Sequence, residues 1–462
     1  MPDPKTAFKT CVHHWTEKLE RALRSLAGAG LAGASFARGE SRASGSTPAP
    51  APYVARFESL AYGLFVHYGL YSLSGKGEWV KRHHDVPMED YRKLIDRFTA
   101  EDFDARELAR FARRCGMRYI VLTTRHHEGF SLYDTRGLNE FDAPHSPAGR
   151  DLIAEFVEAC RAEDIVPFFY HTTLDWSWNT ETCDDQTFAE YIDYLVASVE
   201  LLCTHYGSVG GFWFDGNWSR RDADWQEDRL YGMIRRLQPE AMIINNSSIN
   251  ALGALGHPEL DAATYEQGRP AAMDRNGMPR YKAAEMCQTM NLHWGIAEND
   301  LFLKSPADVV TDLAACRRVG ANYLLNIGPT ATGAIPAYEK VCLERAGDWV
   351  NRHAEALYET RPCAVRTEGE DFVLRHTGTG SYYYFAHNLP IRKNDHKTKE
   401  MGATEGPRPI AGIDTPLKTA RWLDNDEPLD LHCGDAPGEW QLNCTAYPYG
   451  SNLVVRVAKL EA

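Results

Sequence analysis

The chain has 462 residues, which exceeds one ordinary domain and leaves room for a large core and a smaller module. Hydrophobic residues make up 44% and charged residues 25%, as in soluble globular proteins. The formal net charge of −14 gives no electrostatic attraction to nucleic acid or anionic lipid, and no run of 18 apolar residues predicts a transmembrane helix. We therefore expect neither nucleic acid nor a membrane as a partner.

The N-terminal region differs in composition from the rest of the chain. Residues 1–24 have the pattern of an amphipathic helix, and residues 25–52 are rich in Ala, Gly, Ser and Pro, as in a flexible linker or partly ordered arm. The apolar patch there is a poor signal-peptide core, which favours a cytoplasmic location. The 11 cysteines are scattered singly, which argues against a zinc site and a disulfide scaffold. Residues 1–52 are thus predicted to be an extension outside the main fold.

From about residue 55, short apolar runs alternate with amphipathic segments, which is typical of repeated βα units. The candidate strands are 64–69, 119–127, 165–171, 211–216, 242–246, 262–266, 283–290 and 322–328. The candidate helices between them are 104–116, 151–164, 188–207, 225–238 and 305–320. This order predicts an α/β fold in which residues 53–360 form a (β/α)8 TIM-like barrel. A doubly wound open sheet is the alternative, but no G-x-G-x-x-G or P-loop follows a strand.

After a helix predicted over residues 337–360, the pattern changes to short strands separated by turn signals. The candidate strands are 363–368, 371–377, 381–389, 419–424, 428–433, 440–444 and 452–460. The polar segment 391–408 is predicted to be a mobile loop. Residues 361–462 are therefore expected to form a small C-terminal β-sandwich.

The candidate barrel strands are apolar in the middle and polar at their C-terminal ends. Those ends carry His67, His126, His127, His171, Asp215, Asn245 and Glu266. Barrels of this kind hold their active sites at the C-terminal face, so this placement indicates a functional site.

Two of these residues are acids that end apolar strands. Asp215 closes GFWFD, beside Trp213, and Glu266 closes AATYE. Retaining glycosidases use two carboxyl groups about 5 Å apart, one as nucleophile and one as acid/base. Each acid could instead be structural, Asp215 as a loop cap and Glu266 as the partner of Arg269. Glu285 competes as the acid, but it begins its strand pattern and is expected lower in the barrel or in an entrance loop.

Histidine and tryptophan side chains accompany the two acids. His126 and His127 follow one strand together, and imidazoles can donate hydrogen bonds to sugar hydroxyls or accept them. A metal site would need a further ligand at suitable spacing, and no H-E-x-x-H pattern appears. Trp79, beside Glu78, and Trp294 follow other strands and could be sugar platforms, although packing alone would also account for each tryptophan.

Seven motifs occur in the order of one known family. They are GLFVHYGLYS (63–72), GEW (77–79), TTRHHEGFSLYD (123–134), FFYHTTLDWSW (168–178), FWFDG (212–216), EMCQTMNLHWG (285–295) and NYLLNIGPTATGAIP (322–336). Together they resemble the α-L-fucosidases of glycoside hydrolase family 29. The resemblance covers about residues 55–360, and the family also has a C-terminal β-sandwich.

The resemblance implies a retaining exo-glycosidase that releases α-L-fucose from fucosylated oligosaccharides or glycoconjugates, without a metal or organic cofactor. It implies Asp215 as nucleophile, and Glu266 fits best as acid/base. The implied contacts to fucose or its surroundings are His67, Glu78, Trp79, His126, His127, Tyr170, Trp213 and Trp294. A homo-oligomer is compatible with the sequence.

The chain departs from the family pattern at several positions. The first motif usually reads His-Trp-Gly, but Tyr68 follows His67 here, and the Trp that often precedes the late Glu is Ala284. No Arg lies between Asn245 and Glu266, where some members place one. Three other functions stay open: a glycosidase for an L-galactose-like sugar, an inactive fucose-binding protein, and a metal-dependent hydrolase using the paired histidines.

Overall fold

A computed structural model describes residues 46–247, 251–394 and 402–462. Eight parallel strands close into a barrel in chain order, with the last strand paired to the first. They are β1 (Tyr62–Val66), β2 (Tyr119–Arg125), β3 (Val166–Thr172), β4 (Gly211–Asp215), β5 (Met242–Asn245), β6 (Ala262–Glu266), β7 (Ala283–Thr289) and β8 (Asn322–Ile327). The predicted α/β barrel is confirmed, and the open-sheet alternative is wrong.

The predicted helices 104–116, 151–164, 188–207, 225–238 and 305–320 are present beside the barrel with small shifts at their ends, whereas the helix predicted over 337–360 is divided into two. The helices are α1 (Pro52–Leu60), α2 (Val80–His83), α3 (Met88–Arg92), α4 (Ala105–Arg114), α5 (Leu152–Ala162), α6 (Asp185–His205), α7 (Glu227–Leu237), α8 (Pro306–Val319), α9 (Ala337–Arg352) and α10 (Ala354–Tyr358). Within the described residues, no helix lies between β5 and β6 or between β6 and β7. The regular βα repeat is therefore interrupted beside Glu266.

Side chains alternate between the barrel interior and the layer beneath the helices, as the pleat requires. In β4, Trp213 packs inside, whereas Phe212 and Phe214 join the outer hydrophobic core. At the N-terminal end of the barrel, Phe57 of α1 lies against Tyr119 and Phe168, with ring centroids 5.7 Å and 5.8 Å away. The interior is therefore filled at that end.

Two antiparallel sheets follow the barrel, as predicted for the C-terminal β-sandwich. The first has the order β13 (Thr419–Trp422), β16 (Arg456–Glu461), β11 (Tyr382–Ala386), β10 (Phe372–His376), β9 (Thr360–Pro362), and the second β12 (Gly406–Ala411), β15 (Glu439–Cys444), β14 (Leu431–Cys433). Trp422 and Tyr384 are buried in the core between the two sheets.

Two strand predictions in this region were wrong. The first strand lies at Thr360–Pro362 rather than at 363–368, and the strand Gly406–Ala411 begins within the predicted loop 391–408. Both strands contain proline, which has no amide hydrogen for a ladder and argues against a central strand. Both lie at sheet edges, where proline is tolerated.

Some predictions lie outside the described residues. These include the helix over 1–24, most of the linker over 25–52, and part of the predicted loop, residues 395–401. The domain boundaries at residues 52 and 360 stay predictions. None of the helices in the described ranges is both long enough and apolar enough to cross a bilayer.

Candidate active site

A pocket opens at the C-terminal end of the barrel strands, where the polar strand ends meet. It is lined by Phe65, His67, Trp79, His126, His127, Tyr170, Trp213, Asp215, Trp218, Asn246, Glu266 and Trp294. All the predicted site residues except Glu78 therefore line one cavity. The lining is mostly aromatic, with two acids and three histidines among the rings.

Asp215 is surrounded by hydrogen-bond donors. The indole Nε1 of Trp218 donates to Oδ1 at 2.8 Å, and the hydroxyl of Tyr170 donates to Oδ2 at 3.2 Å. The Nε2 of His127 lies 3.5 Å from Oδ2. Burial raises the pKa of Asp215, whereas the hydrogen bond from Trp218 opposes that rise by stabilising the carboxylate. These donors fix the carboxylate in one orientation.

One amide connects the two acids. The Nδ2 of Asn246 donates to Glu266 Oε2 at 2.6 Å and to Asp215 Oδ1 at 3.3 Å. Those two oxygens are therefore no further apart than the sum of the two distances, 5.9 Å. Inverting glycosidases need about 6.5 Å or more between their carboxyl groups, whereas retaining ones need about 5 Å. The spacing of Asp215 and Glu266 fits the retaining arrangement.

The protonation of the two acids differs in a way that suits two roles. Burial, together with the nearby Asp215 charge, raises the pKa of Glu266 to about 7. A carboxyl group of this kind still holds a proton near neutral pH and can donate it. The hydrogen bonds from Trp218, Tyr170 and Asn246 all stabilise the ionised form of Asp215. The pair can therefore offer one proton donor and one anion.

Two of the three pocket histidines are held as neutral rings. The Nδ1 of His67 lies 2.6 Å from Asn326 Oδ1, and the Nδ1 of His127 lies 2.7 Å from Thr172 Oγ1. Burial, and secondly electrostatic repulsion from the neighbouring His126, lower the pKa of His67 and of His127 well below the usual histidine value. These rings can exchange hydrogen bonds with a neutral polyhydroxy ligand.

Aromatic rings form the pocket walls. Trp79 and Trp218 are roughly parallel, with centroids 6.1 Å apart and planes 27° apart. Trp176 packs beside the Trp79 ring, with ring centroids 5.2 Å apart, and is not among the residues that line the pocket. Trp294 packs on the Phe65 ring at 5.6 Å. Flat apolar walls beside hydrogen-bonding groups suit the C–H and O–H faces of a sugar.

Two acids lie just outside the pocket. Glu78 Oε2 accepts hydrogen bonds from the backbone amides of Trp294 at 2.9 Å and Gly295 at 2.8 Å, and thereby holds the loop that presents the Trp294 ring. Glu285 accepts from Tyr119 and from the Trp213 indole, at 2.5 Å and 2.8 Å. Glu285 thus lies lower in the barrel, beneath the Trp213 ring, as its position in the strand predicted.

The asparagine in the pocket is Asn246 rather than Asn245, the one noted at the end of β5. Asn245 faces outward and donates to Tyr231 at 2.8 Å, whereas Asn246 lines the pocket. Ile244 is an inward-facing residue of β5, so Asn246 continues the same alternation. His171 also faces outward, with its Nδ1 2.8 Å from Thr124 Oγ1. The inward and outward alternation of each strand, counted from its apolar part, distinguishes Asn246 from the outward-facing Asn245 and His171.

Phe65 and Trp218 were also missed as pocket residues. The alternation of β1 could have indicated Phe65, two residues before His67. Trp218 lies in a single 3-10 turn (Asn217–Ser219) after β4, which is too short for periodicity to indicate which way its side chain faces. Within the described ranges, no group of three His, Cys, Asp or Glu side chains is arranged to hold a metal ion.

A (β/α)8 barrel with two carboxyl groups at this spacing, in an aromatic pocket at its C-terminal face, defines a retaining glycoside hydrolase. The sequence profile of the family described as Alpha-L-fucosidase matches residues 38–355. The chain belongs to the α-L-fucosidase family, glycoside hydrolase family 29. The predicted family, fold and enzyme class are confirmed.

Individual relatives agree with this assignment. The tissue alpha-L-fucosidase of Homo sapiens is 25% identical over 363 residues, which cover 72% of this chain and 75% of the relative. The solved structure of alpha-L-fucosidase isoenzyme 1 from Paenibacillus thiaminolyticus is 29% identical, with a TM-score of 0.74 over 89% of this chain and 98% of that one. An alpha-L-fucosidase from Bacteroides thetaiotaomicron, solved as a trapped covalent intermediate, shares the fold at 22% identity and a TM-score of 0.74, covering 90% of this chain and 97% of that chain.

Proposed function

We propose that Asp215 is the nucleophile and Glu266 the acid/base with which this retaining α-L-fucosidase releases terminal α-L-fucose from fucosylated glycans. The observation that supports these roles is the upper limit of 5.9 Å between the carboxyl oxygens that Asn246 joins. The raised pKa of Glu266 supports its role as the proton donor. A homo-oligomeric state stays a prediction.

The proposed reaction has two displacements. Asp215 forms a bond to the anomeric carbon while the glycosidic C–O bond breaks, and Glu266 gives its proton to the departing oxygen. The resulting Glu266 carboxylate then takes a proton from water, which attacks the anomeric carbon and releases Asp215. The two inversions give net retention of the anomeric configuration.

The other pocket residues would bind the sugar. The rings of His67, His126 and His127 would form hydrogen bonds with the sugar hydroxyls, and bonds that strengthen in the transition state would favour turnover. Trp79, Tyr170, Trp213 and Trp294 would enclose the sugar and limit water at the reacting carbon. Glu78, predicted as a contact residue, would act by holding the Trp294 loop.

A substrate panel tests the proposed function. We expect rapid hydrolysis of an aryl α-L-fucoside, slower hydrolysis of the matching α-L-galactoside, and α-L-fucose as the first product in proton NMR. L-Galactose carries one hydroxyl that L-fucose lacks, so the pair isolates recognition of the sugar methyl group. Preference for the galactoside would establish a glycosidase for an L-galactose-like sugar, and fucose binding without turnover would establish an inactive fucose-binding protein. An initial β-product would contradict retention.

We also expect a bell-shaped pH dependence of kcat/KM. Glu266 must be protonated to act first, so activity should fall as pH rises through its pKa of about 7. Asp215 must be ionised, so activity should also fall on the acid side, through a pKa that burial raises above the usual aspartate value. Rates from about pH 4 to about pH 9 check both limbs. The Glu266→Gln variant, which cannot lose this proton, should lack the alkaline limb, and its persistence would contradict the assignment.

A further inference from the structure

Behind the pocket lies a buried acid that the proposed reaction does not use. Glu128, in the motif HHEGF, has no exposed surface. Neither carboxylate oxygen has a hydrogen-bond partner among the described residues. The Nδ1 of His126 lies 3.4 Å from Oε2, and this Nδ1 also has no hydrogen-bond partner in the described part of the chain.

The cost of burying this carboxylate calls for a cation. Burying an ionised group without a partner costs folding free energy on the order of several kcal/mol, because the group loses its hydration. Among the described residues, His126 is the ion-pair partner of Glu128 within 4.0 Å. The carboxylate is also confined, since a Cβ at Gly69 would lie 2.6 Å from Oε1. Glu128 is thus held facing one edge of the His126 ring.

The surroundings of His126 distinguish it from the other two histidines. The rings of His67 and His127 lie 5.5 Å and 4.1 Å from it, and those of Tyr71 and Tyr170 lie 5.3 Å and 5.6 Å away. His67 contacts an asparagine oxygen and His127 a threonine hydroxyl through Nδ1, whereas the Nδ1 of His126 faces a carboxylate. One positive charge in this cluster is therefore best placed on His126.

We propose that Glu128 is a positioning residue that holds His126 as an imidazolium, with Nδ1–H directed at the Glu128 carboxylate and Nε2–H available to a sugar hydroxyl. The ion pair brings a charged donor to the pocket wall without adding net charge. A charged donor makes a stronger hydrogen bond than a neutral one. The positive ring also lowers the pKa of Asp215, which favours its ionised form. The effect on sugar binding rests on the proposed function, whereas the protonation of His126 does not.

Two variants of the full chain separate charge from shape. Glu128→Gln keeps the size of the side chain and removes the charge, and Glu128→Asp keeps the charge on a shorter side chain. Nitrogen-15 NMR of labelled histidine at about pH 7 reports whether one or both ring nitrogens of His126 carry a proton. Loss of one histidine signal in His126→Gln assigns the resonance. Tm values control for folding.

We expect both nitrogens of His126 to be protonated in the parent protein and in Glu128→Asp, and only one in Glu128→Gln. The dissociation constant for L-fucose and the KM for an aryl α-L-fucoside should rise about tenfold in Glu128→Gln, with a smaller change in kcat, and largely recover in Glu128→Asp. A neutral His126 in the folded parent protein, or an unchanged His126 signal in folded Glu128→Gln, would overturn the proposal. The NMR result stands whether or not Asp215 is the nucleophile, so failure of the two proposals can be told apart.

Discussion

Asp215→Gly should lower kcat for an activated aryl α-L-fucoside by about 10⁴-fold or more, the scale seen when a catalytic nucleophile is removed. The variant lacks the carboxylate that would form the bond to the anomeric carbon. It also leaves Trp218, Tyr170 and Asn246 without their shared acceptor. The measurement is single-substrate kinetics with the folded variant, checked by its Tm.

Azide provides the positive control for Asp215→Gly. The missing side chain leaves space on the face of the sugar opposite the leaving group, where a small anion can attack. We expect azide to restore part of the rate and to give β-L-fucosyl azide, detectable by NMR. Near-normal turnover without azide would show that another residue is the nucleophile. An α-azide would mean that azide had attacked a covalent fucosyl-enzyme. Asp215→Gly cannot form that intermediate at position 215, so another residue would be the nucleophile.

Glu266→Ala should distinguish substrates by their leaving groups. General acid catalysis contributes about 10²–10⁴-fold where the departing oxygen needs a proton. We therefore expect a loss of that size on natural-type fucosides and a much smaller loss in the first displacement on activated aryl fucosides. Burst kinetics with an activated substrate would show the accumulating intermediate, because water attack also loses its base.

Glu285→Gln is the matched control for Glu266. Burial raises the pKa of Glu285 to about 7 as well, but its oxygens face Tyr119 and Trp213 rather than the cavity. Glu285→Gln should lower the hydrolysis rates of substrates with good and poor leaving groups by similar factors, because the substitution acts through the Trp213 ring. Leaving-group dependence in Glu285→Gln, together with its absence in Glu266→Ala, would transfer the acid/base role to Glu285.

Much of the barrel and of its site could be predicted because strand patterns report burial directly. The acids at positions 215 and 266 end short apolar runs, and the parallel strands bring those ends to one face. The edge strand β9 was placed too late in the sequence, and the start of β12 was predicted as part of a polar loop. The prolines in both segments also argue against a sheet until the neighbouring strands are known. The local sequence does not show which strands will lie beside these two segments.

The rest of the site depends on contacts between distant parts of the chain. Glu78 reaches backbone amides 216 and 217 positions later, so its role in holding a loop has no local signature. Asn246 could have been chosen over Asn245 by the alternation of β5, but the distance it sets between the acids required coordinates. The turn that brings Trp218 to Asp215 has no periodic pattern at all.

The filled N-terminal end of the barrel limits how substrate and products can enter and leave the active site. Phe57, Tyr119 and Phe168 close the barrel axis at one end, so we expect substrate, leaving group and water to use the mouth at the other. In the proposed mechanism, the leaving group must clear that mouth before water can take its place beside Glu266. An alcohol still present there competes with water for the fucosyl-enzyme. We therefore expect hydrolysis and fucosyl transfer to compete at this mouth, which Trp79 and Trp218 line, with the acceptor concentration shifting the ratio of the two products.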